Sequence, residues 1–115
     1  MRDIMDDQKV KKLATAWLSG DGYEMVFDAC VEEPEVVWQA ILQILQLDLT
    51  DDQKALLAAG PLEDLLAQQG AAFIDRIEGE AKLNPRFNYL LGGVWRHEMP
   101  QEIWERITKA RKEAW

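Results

Sequence analysis

The chain has 115 residues, of which 48% are apolar and 30% charged, and its formal net charge at pH 7 is −8. This length and composition are typical of a single folded domain over residues 1–115 and exclude an intrinsically disordered chain. The negative charge argues against general nucleic-acid binding, which needs cationic side chains to displace the counterions of phosphates.

The apolar residues of the first third repeat with a helical period. The first predicted helix carries Val10, Leu13 and Trp17 on one face and ends at Gly20. The next helix repeats this spacing, and one apolar face is expected to hold Tyr23, Val26, Phe27, Cys30 and Val31. Because Cys30 is the only cysteine and lies on that face, we expect a buried thiol in a reducing compartment.

The segment that follows is the most apolar in the chain. Pro34 stands where the first turn of a helix tolerates proline, and apolar residues then cover most of the helix circumference. A helix of this kind is a central one, so residues 35–47 are predicted to form the core helix. Thr50 and Gln53 have the spacing of a capping box and predict the start of the next helix.

Glycine and proline divide the second half into short predicted helices. Gly60 is expected to end one helix and Pro61 to begin another, which Gly70 then stops. The pair Glu63–Asp64 is interpreted as first-turn acids. Asn84 followed by Pro85 predicts a further helix start, and Pro100 predicts the last one.

No stretch alternates in the manner of a strand, so the predicted fold class is all-α. We expect a compact bundle of seven or eight short helices, with HEAT-like helix pairs as the alternative arrangement. The first residues lack the apolar centre of a secretory signal, and no apolar run is long enough to cross a bilayer. These features predict a cytoplasmic protein without membrane contact.

The segment "NPRFNYLLGGVWRHEMP" contains the only paired glycines and the only histidine. We predict that Gly92 adopts a left-handed conformation after a helix and that Val94 and Trp95 fold back on the core. The glycines match neither a dinucleotide fingerprint nor a phosphate loop. His97 has no companion at metal-ligand spacing, and a surface or helix-capping role is predicted. No metal, cofactor or catalytic residue is expected.

The net charge of the chain is concentrated in one interval. No Lys or Arg occurs between Lys12 and Lys54, and the 41 residues between them carry nine Asp and Glu. The preceding residues sum to +1 and the following ones to zero. On the second predicted helix Glu24, Asp28 and Glu32 align opposite the apolar face.

This acidic row has two interpretations. One is a solvated face that aids solubility. The other is a partner-binding surface for a basic protein, in which electrostatic attraction steers association. The residues proposed for that surface are Asp21, Glu24, Asp28, Glu32, Glu33 and Glu35.

A basic toxin, such as a nuclease, is one partner that this chemistry would suit. An immunity or antitoxin-like inhibitor would cover with its carboxylates the toxin surface that holds phosphates. Trp38 and the later tryptophans are either apolar anchors of such an interface or simply core residues. The interaction hypothesis includes neither nucleic acid nor membrane, and the oligomeric state stays open.

The segments "AAGPLEDLLAQQG", "FIDRIEGEAKLNPRFNYLLGGVW" and "MPQEIWERI" resemble a family of small bacterial proteins of unknown function, DUF6869, mainly over residues 59–107. The resemblance implies a bacterial, cytoplasmic, all-helical protein. It also implies a set of shared positions: Gly60, Pro61, Leu62, Glu63, Asp64, Arg76, Glu78, Pro85, Arg86, Phe87, Gly92, Gly93 and Trp95.

Among these positions, Arg76, Glu78 and Arg86 are candidates for a polar cluster, either a structural network or the lining of a pocket. A small-ligand binder or enzyme that uses this cluster is the alternative to the interaction hypothesis. A helical scaffold or adaptor is a further alternative, which a large exposed apolar patch would favour.

Overall fold

The core is built around one helix, α3, which spans Pro34–Leu45. The computed structural model describes residues 4–115, and describes side chains from Asp7 onward. The other helices are α1 (Ile4–Leu18), α2 (Tyr23–Glu32), α4 (Asp51–Leu57), α5 (Glu63–Leu83), α6 (Pro85–Leu91) and α7 (Gln101–Ala110), with a π turn at Ala58–Leu62. Residues 4–115 contain no strand. The all-α prediction is therefore confirmed.

Helix α3 confirms the predicted core helix. Pro34 stands in its first turn, and it packs against α1, α2, α5 and α6. Seven of its twelve residues are buried: Val36, Val37, Trp38, Ala40, Ile41, Ile44 and Leu45. Trp38 contacts the rings of Phe73 and Phe87, with centroid distances of 6.1 and 5.5 Å. Trp38 is therefore a core residue and not an apolar anchor of an interface.

The predicted helix break at Gly60 is wrong, whereas the predicted break at Gly70 lies next to a kink at Gln69. Helical segments follow one another directly from Asp51 to Leu83, with a kink at Gln69, whose φ of −133° and ψ of 23° are non-helical. The described chain therefore has six helical runs rather than seven or eight. A π turn carries the chain past Pro61, which has no N–H to donate. Directly after the kink, the absent side chain of Gly70 leaves room for Ile103 of α7.

Two predicted helix starts are confirmed. The Thr50 hydroxyl accepts from the Gln53 N–H at 3.1 Å, and Gln53 Oε1 accepts from the Thr50 N–H at 2.9 Å. The Asn84 side chain accepts from the backbone N–H groups of Arg86 and Phe87 at the start of α6. Local side-chain capping fixes both ends independently of tertiary packing.

Helix α2 is buried on a narrower face than its sequence predicts. Only Val26 and Cys30 are buried, whereas Tyr23, Phe27 and Val31 are exposed. The neighbouring helices α1, α3 and α5 contact one side of α2 and leave the other in solvent. The predicted buried thiol is confirmed, and burial raises the pKa of Cys30 to about 12.

A buried amide joins the last three helices. Asn88 donates to the carbonyl oxygens of Ala81 and Ala110 at 3.0 and 3.1 Å and accepts from the Lys112 N–H at 2.9 Å.

Within the described ranges no helix combines the length and apolarity required to cross a bilayer.

Candidate functional site

The six acidic residues proposed for partner binding are all exposed. Glu24, Asp28 and Glu32 repeat every four residues along α2, and Asp21 precedes that helix. Glu33 lies between α2 and α3, and Glu35 lies in the first turn of α3. The structure therefore places this acidic set on one helix and its immediate flanks.

Two of these six carboxylates are already paired within the chain. Glu33 accepts from Lys9 Nζ at 2.6 Å, and Glu35 forms an ion pair with Arg76 from α5. The side chains of Asp21, Glu24, Asp28 and Glu32 have no hydrogen bond or ion pair with any residue that the structure describes. The unpaired acidic surface is thus reduced to Asp21 and the row on α2.

An exposed apolar row lies directly beside this acidic row. Tyr23, Phe27 and Val31 are 72%, 44% and 53% exposed. Each precedes one of Glu24, Asp28 and Glu32 in the sequence, so the two rows run side by side at about 100° around the helix. Sequence reasoning assigned the apolar row to the core. The composition of α2 could have indicated the exposed row. Seven of its ten residues are apolar, and one buried face cannot hold them all.

A cleft adjoins the first turn of α2. Its walls are Trp17 and Leu18 from α1, Tyr23 from α2, and Leu56 and Pro61 from the opposite side, and its volume is about 390 Å³. The turn that shapes it depends on two glycines. Gly20 has a φ of +89°, and a side chain on Gly22 would meet the backbone N of Trp17 at 2.6 Å.

Asp64 also lines this cleft. Burial raises the pKa of its carboxyl, and an electrostatic interaction with His97 offsets part of that rise. Its neighbour Glu63 is buried and accepts from the Trp95 N–H at 2.6 Å. The pair lies in the first turn of α5, as predicted. The π turn leads directly into this turn, so the start of α5 is not a separate helix end.

The predicted polar cluster is not assembled, because its three members have separate partners. Arg76 pairs with Glu35 and lies over the Phe73 ring. Glu78 accepts from Arg106 Nε at 3.0 Å, and this hydrogen bond lowers the pKa of Glu78. Arg86 donates to carbonyl oxygens at the end of α3, namely those of Leu45 and Gln46, at 3.1 Å each.

The paired glycines receive the ring of Trp115. The Trp115 backbone N–H donates to the Gly92 carbonyl at 2.9 Å, and its indole N–H donates to the Tyr89 carbonyl at 2.7 Å. A Cβ on Gly93 would lie 2.6 Å from the indole ring. The left-handed conformation predicted for Gly92 is wrong, since its φ is −63°. Glycine is needed at both positions because the ring of Trp115 lies close to the backbone there.

The residues after the glycines are partly as predicted. Val94 is buried, but Trp95 is 74% exposed and does not fold back on the core. The backbone of Trp95 is held by Glu63, which leaves its side chain pointing away from the interior. His97 lies on the surface with a φ of +49°, which agrees with the predicted surface role.

A family model described as "Family of unknown function (DUF6869)" matches residues 7–115. Neither a curated protein nor a solved structure matches the chain. The match covers both the acidic α2 segment and the later motifs from which the resemblance was drawn. The chain belongs to the DUF6869 family, whose function is unknown.

Proposed function

We propose that this chain acts by binding a positively charged protein through α2, in the bacterial cytoplasm, rather than by catalysis. The observation that carries the proposal is the pair of parallel rows on α2. Tyr23, Phe27 and Val31 are exposed apolar residues, and the carboxylates beside them have no partner in the described structure.

The two rows together are better explained by a protein interface than by a face that is only exposed to solvent. Exposed aromatic side chains supply the apolar anchors that dominate interface energies. Flanking carboxylates increase the rate of encounter with a cationic partner and select against anionic ones. A face that served only solubility would need the carboxylates but not Tyr23 and Phe27 beside them.

The acidic row carries an energetic cost in the isolated chain. Glu24, Asp28 and Glu32 are like charges at a spacing of four residues, and each such pair destabilises a helix by about 0.2–0.5 kcal/mol. No Lys or Arg occurs between residues 12 and 54 to relieve this repulsion. A cationic partner would remove it on binding.

The specific form of the proposal is an immunity or antitoxin-like inhibitor of a basic toxin. A nuclease toxin must present cationic side chains to phosphates, and the α2 carboxylates would occupy that surface. The apolar row would then pack against aliphatic stems of the same lysines and arginines.

Affinity capture from the source bacterium, at low and high salt, tests this proposal. Three forms are compared: the unmodified chain, the triple variant Glu24→Lys, Asp28→Lys and Glu32→Lys, and a control in which Glu98, Glu102 and Glu113 are changed to Lys. The control residues are exposed and lie outside α2, and both variants change the net charge equally.

The proposal requires a cationic protein whose capture fades as salt rises and is lost with the α2 variant only. Equal capture by all three forms, or the recovery of no cationic protein, would contradict it.

A further inference from the structure

The cleft at the start of α2 has the composition of a small binding site. Trp17 and Tyr23 provide aromatic walls, and Leu18, Leu56 and Pro61 provide aliphatic ones. Its volume of about 390 Å³ lies within the range of sites that hold small molecules or single side chains.

Among the residues that the structure describes, Asp64 is the only charged one in the cleft lining. Its carboxylate has no hydrogen bond or ion pair with the residues described, and burial disfavours its ionised form. His97 offsets only part of this burial cost, so a half-buried carboxylate without a hydrogen-bond or ion-pair partner is stabilised by a closer counter-charge. The side-chain amide of Gln53, which also lines the cleft, already uses its carbonyl oxygen to accept from the Thr50 N–H.

We infer that this cleft binds an organic cation, in which a positively charged nitrogen pairs with Asp64 and an apolar body lies between Trp17, Tyr23 and Leu56. The aromatic walls add to the attraction, because ring faces attract ammonium and guanidinium groups. A neutral apolar molecule would leave Asp64 unpaired, and an anion would be repelled by it.

This inference does not rest on the proposed function. The cleft shares only Tyr23 with the exposed rows of α2, and none of Glu24, Asp28 and Glu32 lines it. The cation has two sources, either a free amine or the side chain of a lysine on another protein. The chemistry of recognition is the same for both.

The test is a titration followed by the backbone amide signals of Leu56 and Gly60 in the NMR spectrum. The probes are phenethylammonium and its neutral counterpart phenethyl alcohol. The proteins are the unmodified chain, Asp64→Asn, and the control Glu102→Gln, which removes an exposed carboxylate on α7.

We expect the ammonium to bind the unmodified chain and Glu102→Gln at least about tenfold more tightly than the alcohol. In Asp64→Asn this preference falls to about twofold or less, while the alcohol still binds. Equal affinities for the two probes, a preference that survives Asp64→Asn, signals that move away from the cleft, or no binding of either probe would overturn the inference.

A second arm identifies the source of the cation. Lysine with both backbone ends blocked is compared with phenethylammonium on the same chain. Tighter binding of the free amine indicates a small-molecule ligand, and tighter binding of the blocked lysine indicates a partner's side chain; both results support an organic-cation site.

Discussion

The buried carboxylate of Glu63 accepts a hydrogen bond from the backbone N–H of Trp95 at 2.6 Å. This contact joins the start of α5 to the segment after the paired glycines, 32 residues further along the chain. Burial raises the pKa of Glu63, so its ionised form is disfavoured where it stands. The contact predicts two different outcomes for two substitutions of one residue.

Glu63→Ala leaves the partly buried Trp95 N–H without its acceptor, and we expect it to lower the free energy of unfolding by about 0.5–1.5 kcal/mol. Glu63→Gln keeps an acceptor and should cost less. Urea unfolding of both variants measures the difference. Equal losses would show that the hydrogen bond does not stabilise the fold.

The same pair predicts a pH dependence. A carboxyl with a raised folded-state pKa stabilises the fold fully below its unfolded pKa of about 4.3, and this contribution is lost as the pH rises through the folded pKa. Glu63→Gln cannot ionise, so its stability relative to the unmodified chain should improve between about pH 4 and pH 7. A constant difference across this range, or one of opposite sign, would contradict the raised pKa.

The two interior glycines of α5 are a matched pair. Gly79 has open space around it, and Gly79→Ala should raise the free energy of unfolding by about 0.5–1 kcal/mol. A Cβ on Gly70 would lie 3.1 Å from the buried side chain of Ile103, so Gly70→Ala should not give this gain. Thermal unfolding compares them, and equal effects would refute the close approach of α5 and α7.

The contact between Gly93 and Trp115 predicts a thermodynamic coupling. Gly93→Ala forces the indole away and should cost about 1–2 kcal/mol in the unmodified chain. In a Trp115→Ala background the same change should cost much less, because the ring that it displaces is gone. A double-mutant cycle measures this coupling. Additive losses would show that the glycines are required for another reason.

The apolar row on α2 predicts a separation of stability from binding. Tyr23→Ser should change the free energy of unfolding by about 0.5 kcal/mol or less, because the side chain is largely exposed. It should nevertheless weaken binding of the captured partner by about tenfold or more. Val26→Ala, on the buried side of α2, should cost about 2 kcal/mol. If Tyr23→Ser destabilised the chain as much as Val26→Ala, the apolar row would be packed in the core rather than exposed.

The features that sequence reasoning predicted correctly are local ones. Pro34 with its apolar successors marked the core helix, and the capping side chains of Thr50 and Asn84 marked two helix starts. Each depends on residues a few positions apart. Their geometry is therefore almost independent of the remaining chain.

The features that it missed depend on contacts distant in sequence. Ile103 of α7 approaches Gly70 closely, and Trp115 covers the paired glycines, where Gly92 has a helical φ instead of the predicted left-handed one. The exposure of Phe27 depends on how many neighbours α2 has, which periodicity does not encode. The pairing of Glu35 with Arg76 likewise joins residues 41 positions apart.

The proposed function requires that a partner cover α2, and hydroxyl-radical footprinting of the captured complex measures this directly. Oxidation of Tyr23 and Phe27 should fall by about tenfold in the complex, as for fully desolvated interface anchors. Oxidation of Trp95 and Tyr89, which are exposed elsewhere, should be unchanged. Protection of Trp95 and Tyr89 with undiminished oxidation of Tyr23 and Phe27 would place the interface away from α2 and contradict the proposal.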